Sequence, residues 1–230
     1  MKKIEEFEAK IGVTFKDPDI LKTAFVHRSY VNENKTLGYG HNERLEFLGD
    51  AVLELVVTDE LYKRYPEKSE GELTAVRAAI VNTKSLSETA LELEMGDFLH
   101  LSKGEAQSTG RARSYILANT FEAVVGALYT DLGYEASREF IEKTLFKKID
   151  PIVKGKLWID SKSLFQEKAQ EIHGITPEYR VLSETGPDHE KVFTMGVFVG
   201  ERLFGEGTGA SKQDAEQRAA RAALDAEGWV

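Results

Sequence analysis

The stretch His41-Asn42-Glu43-Arg44-Leu45-Glu46-Phe47-Leu48-Gly49-Asp50-Ala51-Val52-Leu53 decides how the chain is read. An α-helix advances about 100° per residue, so steps of three, four and seven return close to the starting azimuth, and Glu43, Glu46 and Asp50 share one face. Like charges at this spacing repel by about 0.2–0.5 kcal/mol per pair on an exposed helix, and by more where water is partly excluded. A solvated face is the ordinary fate of such a pattern. Here Leu45, Phe47, Leu48, Val52, Leu55 and Val56 interleave with the carboxylates and predict that much of the helix is buried. A divalent cation compensates such a face economically. Carboxylate oxygens suit Mg²⁺ or Mn²⁺, whereas softer metals want Cys or clustered His, and the chain has no Cys. Gly49, mid-helix, costs about 1 kcal/mol relative to Ala and marks the close approach of another backbone.

Composition bounds the rest. The 230 residues, 41% hydrophobic, suit one large domain or two smaller ones. Absence of Cys excludes disulfides and thiolate metal sites and is compatible with a reducing cytoplasm. The start, Met1-Lys2-Lys3-Ile4-Glu5-Glu6-Phe7, has no apolar run long enough for a signal peptide, and no later segment approaches the roughly 18 apolar residues of a membrane span. A cytoplasmic protein without a membrane partner is therefore expected. A net charge of −9 and a pI near 5.2 weigh against holding nucleic acid by bulk electrostatics, so any such site must be a local basic patch on an acidic molecule.

Working outward, residues 4–30 predict two short helices broken around Lys16-Asp17-Pro18, the second ended by His27-Arg28-Ser29-Tyr30. Residues 31–40, polar and containing Gly38 and Gly40, read as a loop. The opening stretch lies in a helix from about Asn42 to Tyr65, stopped by Pro66. Ser69-Glu70-Gly71-Glu72 opens the next helix, its acidic first turn explained by the helix dipole alone. Ser85 to Met95 predicts another, ended by Gly96. Gly110-Arg111-Ala112-Arg113 reads as a glycine-bounded loop whose arginines either contact phosphate or are simply solvated. Tyr115 to Leu132 is nearly all apolar except Asn119 and Glu122, three apart on one face. Buried polar groups need partners, and a metal site shared with Glu46 and Asp50 supplies them. Arg138 to Ile152 closes an all-α domain, 1–153, and residues 154–159 around Lys154-Gly155-Lys156 read as a linker.

From residue 160 to 228 the pattern changes class. Ser161 to His173 is amphipathic; Tyr179 to Ser183, Lys191 to Val199 and Arg202 to Gly205 have strand character, with Gly200-Glu201 as a hairpin turn; Ser211 to Glu227 is an Ala-rich helix. The order α-β-β-β-α predicts an α+β domain of three antiparallel strands covered on one face by two helices. Ser211 can cap the last helix, whose N-terminus with Lys212 suits a phosphate, and Gln166 and Gln170 stand four apart on one helix face. Over residues 157–230 Lys plus Arg number 8 and Asp plus Glu 13, a balance of −5, so binding should be modest and salt-sensitive.

Asn42-Glu43-Arg44-Leu45-Glu46-Phe47-Leu48-Gly49-Asp50 resembles the signature of the ribonuclease III family of double-stranded-RNA endonucleases. His27-Arg28-Ser29 and the pair Asn119/Glu122 are similar to further family motifs. Gln166-Glu167, Gln170, Pro177-Glu178-Tyr179, Gly186-Pro187-Asp188-His189 and Gly207 to Glu216 resemble the double-stranded-RNA-binding domain, which often carries a second basic residue where Gln213 stands. The resemblance implies a divalent-metal-dependent endonuclease acting on rRNA and mRNA precursors, using Mg²⁺ with Mn²⁺ as a substitute and no organic cofactor. It implies metal ligation by Glu46, Asp50, Asn119 and Glu122, with Asp50 and Glu122 catalytic and Glu43 and Glu70 as supporting acids. It further implies RNA contacts from Gln166, Gln170, His189, Ser211 and Lys212, and a homodimer through Phe47, Leu48 and Gly49, the equivalent of Phe47 entering the partner. One departure stands out: the family usually has Asp where this chain has Asn119, which removes one negative charge and predicts weakened or altered metal dependence. The alternative is a double-stranded-RNA-binding regulator that does not cleave. A carboxylate-bridged di-iron protein would need Glu-x-x-His pairs near these carboxylates, and the chain has none there.

Overall fold

A helix with glycine at its centre can come closer to a neighbour than any side chain permits, and the first half of the chain is built on one such approach. The computed structural model describes residues 3–34, 40–187 and 191–229. It divides into two units, Met1–Trp158 and Ile159–Val230; the segment expected as a linker, 154–159, straddles the division.

The first unit is helical. Its elements are α1 (Ile4–Ile11), α2 (Pro18–Ala24), α3 (Arg28–Glu33), α4 (Glu43–Arg64), α5 (Glu70–Val81), α6 (Thr83–Glu92), α7 (Gly110–Leu132), α8 (Tyr134–Leu145) and α9 (Ile149–Lys154), with 3₁₀ turns at Met95–Asp97, Glu105–Gln107 and Phe146–Lys148. Helix α4 packs against α7 at two glycines. A Cβ on Gly49 would stand 1.8 Å from the Glu122 carbonyl oxygen, and one on Gly126 would stand 2.1 Å from the Leu45 carbonyl oxygen. The backbone approach foreseen from Gly49 is thus met inside the chain. Around the crossing lies an apolar core of Val52, Leu53, Val56, Leu117, Phe121, Val124 and Leu128, extended by the edge-on cluster of Phe7, Phe25 and Phe98.

Three local expectations are corrected. His27 does not end α2; it caps α3, its ring nitrogen accepting from the Ser29 N–H at 3.3 Å. Arg111 and Arg113 lie in the first turn of α7 rather than in a loop, Arg113 turned back to donate to the Gly96 carbonyl at 3.5 Å. The final helix is broken by the 3₁₀ turn 146–148 into α8 and α9.

The second unit comprises α10 (Ser161–His173), β1 (Glu178–Thr185), β2 (Val192–Val199), β3 (Arg202–Gly209) and α11 (Lys212–Glu227). The strands form an antiparallel sheet in the order β1-β2-β3. Strand β3 runs four residues past the expected Gly205 because its glycines face α11: a Cβ on Gly205, Gly207 or Gly209 would fall within 2.5 Å of the helix. Ala215, Ala219, Ala220 and Ala223 bury the other side of that contact, and Phe165, Val197, Phe204 and Leu224 fill the core.

Candidate active site

The glycine crossing places α4 and α7 so that residues one turn from it meet. Glu46 and Asp50 flank Gly49 on α4, and Glu122 is the α7 residue whose carbonyl touches Gly49. Glu46 is half-buried, and burial raises its carboxyl above the usual range; the Asn119 side chain opposes this by donating a hydrogen bond to it, while Glu43 and Asp50 add repulsion. Glu122 is perturbed further: burial first, then the charges of Asp50 and Glu46, push it up to about 8. Glu46, Asp50, Asn119 and Glu122, expected together from two helical motifs some seventy residues apart, therefore form one electrostatically coupled cluster.

Among the described residues none of Glu46, Asp50 and Glu122 forms an ion pair with Lys, Arg or His. Nor, among those residues, is any group of three or more His, Cys, Asp or Glu side chains arranged to hold a metal ion. The donor set nevertheless fits a hard divalent cation: every donor is oxygen, and the clustered carboxylates, Glu46 and Glu122 partly buried, lack a counter-charge among the described residues.

Glu43 sits at the exposed margin, its carboxylate 3.4 Å from Arg28 Nη1 and 3.6 Å from His41 Nδ1. Neither neighbour is expected from the sequence as a partner; the signal is their position before and at the start of the motif. Beneath them Asn42 is buried, its side chain donating to the Ala24 carbonyl and its N–H to that of Val26, which fixes the start of α4. Glu70 stands apart. Its carboxylate accepts from Thr74 Oγ1 at 3.2 Å, is not among the charges acting on Glu46 or Glu122, and lines a cavity of about 410 Å³ with Tyr62, Lys68, Leu73 and Arg77.

The three residues expected at a dimer interface separate. Phe47 is 82% exposed, in line with Leu55 and Tyr62 along the outside of α4. Leu48 is half-buried against the core, and Gly49 is buried under α7, so its glycine serves the protomer itself.

In the second unit Gln166 and Gln170 are exposed on α10, Thr176 donating to the Gln170 side chain at 3.4 Å. Ser211 caps α11, accepting from the Asp214 N–H at 3.1 Å. Lys212 pairs with Glu184 at 3.2 Å. His189 lies outside the described residues.

Comparison with known proteins agrees with this layout. The family model described as Ribonuclease-III-like matches residues 17–149, and the one described as Double-stranded RNA binding motif matches residues 161–226. The chain is 47% identical over 223 residues to Ribonuclease 3 of Geobacillus kaustophilus, covering 97% of this chain and 90% of that one. It is 44% identical to Ribonuclease 3 of Listeria monocytogenes, with 98% of each chain covered. Among solved structures, the nuclease domain of ribonuclease III from Campylobacter jejuni matches 64% of this chain and 97% of its own, at 38% identity and a TM-score of 0.57. A second structure of that domain, described for flexibility in a region involved in dimer formation, matches with a TM-score of 0.55. Among the described residues no helix is long and apolar enough to cross a membrane. With both matched regions in the order its two units show, the chain belongs to the ribonuclease III family, a helical nuclease domain followed by a double-stranded-RNA-binding motif.

Proposed function

We propose that this protein is a divalent-metal-dependent endoribonuclease that hydrolyses double-stranded RNA to 5′-phosphate and 3′-hydroxyl ends, acting as a homodimer in the cytoplasm on rRNA and mRNA precursors. The observation that carries the site assignment is the coupling of Glu122 on α7 to Glu46 and Asp50 on α4, which gathers repelling carboxylates without a cationic partner among the described residues. Glu46, Asp50 and Glu122 would hold Mg²⁺, or Mn²⁺ in its place. When bound, the ion supplies a nucleophilic water at neutral pH and offsets charge developing on the phosphate. Glu122 retains a proton near neutrality in the metal-free site and would serve as a ligand in its ionised form. Asn119 contributes an N–H to Glu46, a donation that an ionised Asp could not make, and so keeps Glu46 available as a carboxylate. Glu43, held by Arg28 with His41 beside it, would support the site from its margin, and Glu70, which stands apart from it on α5, would reach it only across the dimer.

The dimer reading is supported by the exposed line Phe47, Leu55 and Tyr62. RNA recognition would come from Gln166 and Gln170 on α10 and from the capped α11 terminus with Ser211 and Lys212; His189 belongs to the same reading.

Incubating the purified protein with long double-stranded RNA across Mg²⁺ and Mn²⁺ concentrations tests this. Divalent-dependent cleavage to short duplexes with 3′ overhangs is expected, lost in Glu122→Gln while RNA binding is retained. Binding without cleavage in the natural protein, with cleavage appearing in Asn119→Asp, would instead establish a non-cleaving regulator.

A further inference from the structure

In the second unit both helices cover the same face of the sheet, and the opposite face is expected to be polar. Its centre is apolar. Gly196 on β2 has no side chain, and three side chains close over it from three strands: a Cβ there would stand 2.9 Å from Leu203 Cδ1, 2.9 Å from Phe198 Cε2 and 3.1 Å from Leu182 Cδ1. Leu182 and Leu203 are each about two-fifths exposed. Leu182 owes its position to the irregularity of β1 between Val181 and Ser183, which takes it out of register with β2. Edge strands and exposed apolar clusters are usually blunted in proteins that have no use for them.

The rim has a definite sign. Arg180, paired with Gly196 across the sheet, lies over the Phe198 ring at 4.6 Å and is shared between Glu178 at 3.0 Å and Glu201 at 3.6 Å. Glu206, on the other side of Gly196, is exposed and has no ion pair among the described residues. One cation against three carboxylates leaves the rim acidic. Phosphate and anionic lipid are repelled by such a surface, and a second copy would set acid against acid. Apolar side chains flanked by Lys or Arg match both centre and rim.

We propose that the outer sheet face of the second unit, centred on Leu182, Phe198 and Leu203, is a docking surface for a polypeptide segment with alternating apolar and basic side chains. The helices α10 and α11 remain clear when it is engaged, so the segment and RNA can be held together; that last point alone rests on the RNA-binding reading above.

The test uses the full chain and a fluorescein-labelled heptapeptide, Lys-Val-Lys-Leu-Lys-Val-Lys, read by anisotropy. Saturable binding is expected, at least ten-fold weaker for Glu-Val-Glu-Leu-Glu-Val-Glu and for Lys-Ser-Lys-Gly-Lys-Ser-Lys. Leu203→Ser and Glu206→Lys should each weaken binding at least five-fold, Leu182→Ser providing a second apolar probe, while Glu139→Lys on α8 leaves it unchanged. Thermal unfolding verifies that each variant is folded. Peptide binding insensitive to the sheet variants overturns the proposal. So does self-association beyond the natural protein's dimer that Leu203→Ser abolishes, which would make a second copy the occupant. Displacement of the peptide by double-stranded RNA, with the sheet variants otherwise behaving as expected, removes the claim of joint occupancy and leaves the docking surface itself in place.

Discussion

Glu122 holds its proton to about pH 8 because it is buried and faces Asp50 and Glu46. In the unfolded chain it titrates at the ordinary carboxylate value, about 4.3. A folded pKa above the unfolded one stabilises the native state fully below the unfolded value, and that stability is lost as pH rises through the folded value. The metal-free protein should therefore lose thermal stability between about pH 4.5 and pH 8. Glu122→Gln removes the titrating group but keeps its size, so its melting temperature, measured in chelator, should fall less steeply over that window and lie above the natural protein's at pH 8. Added Mg²⁺ should raise the natural protein's value at pH 8 and leave the variant's nearly unmoved. Parallel pH profiles for the two proteins would show that repulsion among these carboxylates does not set the behaviour of the site.

The site exists only because two helices touch at glycine, and the contact can be tested as an element. With 1.8 Å between a Cβ on Gly49 and the Glu122 carbonyl oxygen, or 2.1 Å between one on Gly126 and the Leu45 carbonyl oxygen, neither helix backbone can yield cheaply. Gly49→Ala and Gly126→Ala should each cost at least about 3 kcal/mol in urea unfolding, above the ordinary overpacking cost because the obstacle is backbone. Gly71→Ala in the first turn of α5, where an added Cβ meets nothing within 4 Å, is the matched control. The crossing was half legible in the sequence. Gly49 announced a close approach because it interrupts a motif of large side chains, but nothing local says which backbone approaches. Gly126 gives no such signal, because within a run of Ala and Val a glycine changes neither periodicity nor hydrophobicity. The four members of the cluster were readable because Glu46, Asp50, Asn119 and Glu122 are polar residues at helical spacing in apolar segments. The clamp of Arg28 and His41 on Glu43 depends on how the segment before α4 folds back, which spacing does not encode. The sequence pattern ends strand β3 early for the reason its glycines are there: they have poor strand propensity and are required by the approach of α11.

Across the whole molecule, an acidic protein, −9 in all, must bind a polyanion through a few local cations. Lys212, proposed above as one of them, is already engaged: Glu184 on β1 lies 3.2 Å from its ammonium and 3.9 Å from that of Lys191. Glu184 is an exposed carboxylate at the strand end nearest the N-terminus of α11, so RNA arriving there meets a cation whose charge is partly spent and a carboxylate that repels it. Glu184→Gln should therefore tighten binding to a non-cleaved duplex in the Glu122→Gln background, several-fold at low salt, and steepen the dependence of log affinity on log salt. Lys212→Ala should weaken binding and reduce that slope by about one, the value expected for one lost phosphate contact. In the double variant the benefit of removing Glu184 should shrink, because much of it acts through Lys212, with only the share due to Lys191 surviving. Titrating the four proteins with duplex at several salt concentrations measures this coupling. Equal gains from Glu184→Gln with and without Lys212 would show that the strand carboxylate acts on RNA directly and that the capped terminus of α11 is not where phosphate is held.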